Sequence, residues 1–158
     1  MANGIRPAFA YIAEGGWRTP LPFNDRLSLG LGWGSGEGSA TAPFFPIVRE
    51  AQSFILRPSI SGMMNIKLNY LARLLPSLSA DISGCYFIRT DSETFVIPYL
   101  ENNEYFLGAE FDAGVSWAPF SDLSLSVKGG AFLPQTGNAW AGNAPVLWRI
   151  TVGMMFSM

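Results

Sequence analysis

Two carboxylates two positions apart, Glu110 and Asp112, come closest in this chain to a reactive pair. On an extended strand, residues i and i+2 share a face. The pair therefore reads either as an acid–base couple or as part of a calcium site. Both readings need further groups. Histidine is absent from the whole chain, which excludes Ser-His-Asp and Cys-His catalysis and removes the usual zinc ligand. The single Cys85 has no second cysteine for a disulfide and no Cys or His neighbour for a metal. Lys128 falls on the next strand, so salt bridging is the expected role of Glu110 and Asp112. The segment from Gly30 to Gly36 is glycine-rich, but it lacks dinucleotide spacing and opens no helix, so it offers no phosphate cradle. No cofactor and no metal site is expected, and the chain does not read as an enzyme.

The elements that carry these residues are strands. The 158 residues are 49% hydrophobic and only 14% charged, against roughly 25% charged in typical soluble domains. No run reaches the roughly 20 apolar residues of a membrane-spanning helix. The apolar residues are instead spread in alternation. Leu107, Ala109, Phe111, Ala113, Val115 and Trp117 alternate with Gly108, Glu110, Asp112, Gly114 and Ser116. Across the turn Ala118–Asp122, Leu123, Leu125, Val127, Ala131 and Leu133 alternate with Ser124, Ser126, Lys128 and Gly130, with Phe132 the misfit. A second hairpin spans Ile60–Leu74 and Leu78–Arg89 through Leu75-Pro76-Ser77, and strands are expected at Pro7–Trp17 and Leu27–Gly34. The turn Pro22-Phe23-Asn24-Asp25 parallels Pro119-Phe120-Ser121-Asp122, a repeat of hairpin chemistry within one continuous sheet. Val48–Leu56 is the one place where a short helix is expected.

The last strand is the most informative. From Val146 the even positions Trp148, Ile150, Val152, Met154, Phe156 and Met158 are apolar, while Arg149, Thr151, Gly153 and Ser157 are polar or small. Its end, Thr151-x-Gly153-x-x-Phe156-x-Met158, resembles the C-terminal strand of Gram-negative outer-membrane β-barrels. In that group the pattern is the signal read by the barrel-assembly machinery, although it usually ends in an aromatic residue where this chain has Met158. A narrower likeness covers Tyr105 to Met158. Leu107-Gly108-Ala109-Glu110-Phe111-Asp112, a proline turn, and Gly129-Gly130-Ala131-Phe132-Leu133-Pro134 are similar to the C-terminal hairpin of alginate-export-type channels. Leu133 replaces that family's second Phe, and Gln135-Thr136-Gly137-Asn138 departs from its acidic loop. These resemblances imply an all-β, antiparallel up-and-down transmembrane barrel in the bacterial outer membrane. Lipid and the assembly machinery would be its partners, and a small solute or saccharide its cargo. Outer-membrane proteases and phospholipases of similar architecture rely on a histidine, which this chain lacks.

Connections alternate in length. Pro20–Asp25, Leu75–Ser77 and Pro119–Asp122 are short; Gly36–Leu56, Thr90–Glu104 and Pro134–Ala144 are long and rich in Gly, Pro, Asn or Ser. Short periplasmic turns and longer external loops are the habit of outer-membrane barrels. With the apolar face toward lipid, the lumen receives Arg26, Lys67, Arg73, Asp81, Arg89, Glu110, Asp112, Lys128 and Arg149, six basic and three acidic. They either line a weakly anion-preferring pore or pair across strands inside a plugged barrel. Trp17, Trp117 and Trp148, with Tyr70 and Tyr86, are candidates for interface aromatics. Seven strands form a single domain over 1–158 without an internal boundary. An odd count leaves edges that lipid does not tolerate, so further strands or a homo-oligomer are expected. Met1–Arg6 is no secretory signal, and a signal lost upstream is part of the same expectation. The net charge of −2 leaves no nucleic-acid footprint. The functions that fit are a passive channel, a non-conducting structural or adhesive barrel, and a soluble β-sandwich or lipocalin-like binder (Gly15-Gly16-Trp17 is similar to the lipocalin Gly-x-Trp). Only the last requires the Leu/Val/Trp face to be core.

Overall fold

The computed structural model describes residues 5–19, 24–38, 40–47, 51–95, 99–101 and 104–157. Period-two alternation becomes seven antiparallel strands: β1 (Ala10–Arg18), β2 (Arg26–Gly34), β3 (Met63–Leu75), β4 (Leu78–Arg89), β5 (Phe106–Phe120), β6 (Leu123–Leu133) and β7 (Leu147–Phe156). Their order in the single sheet is the order in the chain. Each strand thus pairs only with its sequence neighbours, and among the described residues β1 and β7 each leave one edge open. A 3-10 turn at Pro134–Thr136 follows β6. Val48–Leu56 is not the expected helix where it is described: residues 51–56 are irregular, and Val48–Glu50 lie outside the described residues. The reason is a distant residue: the N–H groups of Phe54, Ile55 and Leu56 all bond to the Glu110 carboxylate.

The two faces of the sheet differ in burial. Its apolar face is open: Leu29, Leu68, Ile82, Phe111, Val127, Ile150, Val152 and Met154 are exposed, several by more than 60%. The opposite face carries the buried polar residues Ser28, Asn65, Ser83, Arg89, Glu110 and Asp112. No helix among the described residues is long and apolar enough to cross a membrane, which says nothing about strands.

A compact apolar cluster does exist, at the long-loop end of the polar face. Met63, Cys85, Phe87, Leu107, Phe132 and Ala139 form it, with Ile55, Leu56, Phe95, Leu100 and Trp140 packed on top from the loops. Phe132, the misfit in its strand's alternation, is fully buried here between Phe87 and Trp140. A bulge near Gly108 turns Leu107 into the same cluster. Gly108 sits at φ +120, and a Cβ there would lie 2.5 Å from the Leu133 carbonyl oxygen, so only glycine fits without strain.

The three tight hairpins are staggered. One row runs Arg18–Arg26–Leu71–Asp81–Gly114–Lys128 across the sheet. The first hairpin runs one step past that row, where the Thr19 N–H donates to the Asp25 carbonyl; the second ends at Leu75–Leu78, three residues beyond Asp81, and the third at Phe120–Leu123, five beyond Lys128.

Candidate functional site

The polar face has three zones. In its middle, the register aligns Lys67, Cys85 and Glu110 in one row, Asn69, Ser83, Asp112, Gly130 and Arg149 in the next, and Asp81, Gly114 and Lys128 in a third. Gly114 has no side chain to separate its neighbours, and a Cβ there would lie 2.6 Å from Asp81 Oδ1. Lys128 therefore reaches across β5 to Asp81 on β4 at 3.3 Å while pairing with Asp112 at 2.5 Å. Ser83 Oγ donates to Asp112 Oδ2 at 2.6 Å. The expected salt bridge thus forms at Asp112 but not at Glu110.

Glu110 does something the sequence did not suggest. Fully buried, it accepts the N–H groups of Phe54 and Ile55 at 2.8 Å and of Leu56 at 2.9 Å. Three amides converging on one carboxylate fasten the long β2–β3 connection down onto the polar face. The Phe54 ring then lies 5.3 Å from Lys128 Nζ and 5.1 Å from the Arg149 guanidinium, within cation–π range. Arg149 Nη1 also donates to the Phe54 carbonyl at 3.3 Å, and Asn65 Nδ2 donates to Gln52 Oε1.

At the long-loop end, Arg89 is buried. Its guanidinium donates to the carbonyls of Ser92, Phe95, Glu101 and Glu104, so it organises the β4–β5 connection. A lone guanidinium can satisfy that many acceptors because its five N–H groups fan out in a plane. Trp140 Nε1 donates to the Leu107 carbonyl and closes the β6–β7 loop over the same cluster.

At the short-turn end, Arg26 and Arg73 border a recess of about 620 Å³ together with Arg18, which the sequence reading did not single out. Its signal was there: Glu14, Gly16 and Arg18 alternate with Ala13, Gly15 and Trp17 in β1. Lys67 is exposed midway up the face.

The aromatic residues of the open face divide. Trp17, Trp117, Phe120 and Phe156 lie near the short turns, and Tyr11, Trp33, Tyr86 and Trp148 toward the long loops. Leu29, Leu68, Val115, Val127 and Val152 fill the space between. Trp17 and Trp148 are each more than 70% exposed. Tyr70 sits between the groups but reaches the turn end through its hydroxyl, which donates to Asp25 Oδ2. In β7, Thr151 and Gly153 face the polar side and Phe156 the open side; Met158 lies outside the described residues. No protein-family model matches the chain, and no curated protein sequence matches it.

Proposed function

We propose that this chain is wall of an outer-membrane β-barrel and that the barrel is a passive channel for small hydrophilic solutes or saccharides. The observation that carries the reading is the inverted sheet. Leucine, valine, isoleucine and tryptophan are exposed across one face while carboxylates and a guanidinium are buried on the other. In water such a face would drive aggregation; in lipid it is the required outside surface. A further feature supports it. Aromatic residues flank an aliphatic band at both strand ends, as interface anchors do. The open edges of β1 and β7 require further strands or another copy in lipid. The likeness to alginate-export-type channels belongs to this proposal, with no particular saccharide attached to it.

Solute passage here is diffusion past fixed charges, with no bond chemistry. Lys128 set against Asp81 and Asp112 leaves one net negative charge there, so selection falls to that charge, to Arg149 and Lys67, and to the segment at Phe54. That segment also favours a second reading, a non-conducting barrel. It covers the polar face, and a barrel of about eight strands has an interior just wide enough for side chains to fill. Reconstitution into a planar bilayer separates the two. Discrete conductance steps are expected of the channel; a protein that inserts but carries no current overturns it in favour of the closed barrel. A protein that stays monodisperse in water without detergent overturns both.

A further inference from the structure

We propose that the recess at the short-turn end is a binding site for a small oxyanion, a phosphate or carboxylate group on a free solute. It is framed by Arg18, Arg26 and Arg73, with Ser79, Ser116 and Ser124 in its wall. The register sets Arg18 directly opposite Arg26. Like charges in that position repel, and a folded chain keeps such a pair at a cost unless an anion sits between them. The existing compensation is weak. Arg26 folds back over Gly16, whose missing Cβ leaves it room, and meets Glu14 at 3.6 Å with both side chains more than half exposed. Among the described residues the guanidiniums of Arg18 and Arg73 have no carboxylate partner. Pro20–Phe23, between β1 and Asn24, carries no charged residue. Among the described residues that line the recess Asp25 is the one acid; it is buried and takes the Tyr70 hydroxyl.

The contrast with the rest of the face locates the site. Lys128 is already neutralised by two aspartates, and Arg89 is occupied by carbonyls. Arg149 lies against Phe54. Among the described residues, the arginines at the short-turn mouth are thus the one group of neighbouring cations on the polar face without a firm carboxylate partner, while Lys67 and Arg149 stand singly midway up it. Guanidiniums are suited to this because their planar forks match oxyanion geometry in pairs. A volume of about 620 Å³ falls in the range of small-molecule pockets and exceeds what a bare phosphate needs. The serine hydroxyls would bond the remainder of a hydroxylated solute. Arg18, Arg26, Arg73, Ser79 and Ser116 belong to the face opposite the apolar one, with Leu78 and Trp117 of the open face also in the lining, which favours a dissolved anion over a lipid headgroup as the occupant. The inference rests on these residues alone and holds whether or not the barrel conducts.

The test is calorimetric titration of inorganic phosphate into the protein in an uncharged, phosphate-free detergent, against chloride at matched ionic strength, with strand content checked by circular dichroism. Saturable phosphate binding is expected. It should weaken about tenfold in R18Q and again in R73Q, and be unchanged in R57Q, an exposed arginine of the opposite loops. Absence of saturable binding in the folded parent protein overturns the site. So does binding that R57Q weakens as much as R18Q, or that the folded R18Q/R73Q double variant retains. Phosphate binding that needs anionic lipid in the micelle overturns the free-solute assignment.

Discussion

Replacing Glu110 by Gln tests whether one carboxylate fastens the β2–β3 connection to the sheet. The carboxylate accepts Phe54 and Ile55 on one oxygen and Leu56 on the other. Hydrogen bonds to a charged acceptor contribute about 1.5–3 kcal/mol, against about 1 kcal/mol for neutral ones. In E110Q the amide oxygen retains two bonds in weakened form, and its NH2 turns a donor toward the third N–H. Part of that loss is returned because a charge no longer has to stay buried. The net loosening of the segment is about 2.5 kcal/mol, on the order of 50-fold in its opening equilibrium. Hydrogen exchange on detergent-solubilised protein reads this directly. The amides of residues 54–56 should exchange roughly 50-fold faster while those of β5 and β6 keep their protection. Acceleration below about threefold at 54–56 would refute the anchoring argument. Equal acceleration across the whole sheet would refute it differently, by making Glu110 a support of the strands rather than of the loop.

Other perturbations follow from the same contacts. Lys128→Met strips both aspartates of their partner and leaves the buried Asp112 uncompensated; a loss of about 3 kcal/mol in urea unfolding is expected, largely restored by adding D112N. Gly108→Ala forces a side chain onto φ +120 and against the Leu133 carbonyl, costing about 2 kcal/mol or more. Gly15→Ala, where a Cβ meets open space, should stay within about 0.5 kcal/mol in the same assay. Cys85 is 5% exposed inside the apolar cluster, so a maleimide should label it only after denaturation; labelling of the folded protein would contradict the packing at the long-loop end.

The sheet was legible because strand side chains alternate strictly and the turn residues are distinctive. Leu123–Leu133 and Leu78–Arg89 match the observed strands end for end. Elsewhere the differences are a few residues at strand ends, as where β5 runs on through Pro119 to Phe120. The polar side of that alternation also held, placing Glu110, Asp112, Lys128 and Arg149 on one face. What could not be read was anything created by a loop returning over that face. Phe132 breaks its strand's pattern for a reason that lies in Phe87 and Trp140, both distant in sequence. Arg89 fits the alternation of its strand, yet its guanidinium is taken up by the carbonyls of Ser92, Phe95, Glu101 and Glu104. Glu110 was read against Lys128 on the neighbouring strand, whereas its partners are backbone amides more than fifty positions away. Backbone donors carry no residue identity, so no local pattern announces them.

A sheet whose spatial order equals its chain order is modular in a way that most folds are not. Each tight hairpin brings its own turn and ladder, so inserting or deleting one leaves the remaining ladders in register, and the width of such a wall can change by duplicating a single unit. The interior fittings are not modular. Lys128 spans from β6 to β4, and Arg149 and Glu110 both hold residues of a connection that leaves β2. A copy of a hairpin placed between them would separate these partners while the strands went on pairing. In this chain, sheet breadth is thus open to change by whole hairpins, whereas whatever the segment at Phe54 does is tied to the present number of strands between β2 and β7.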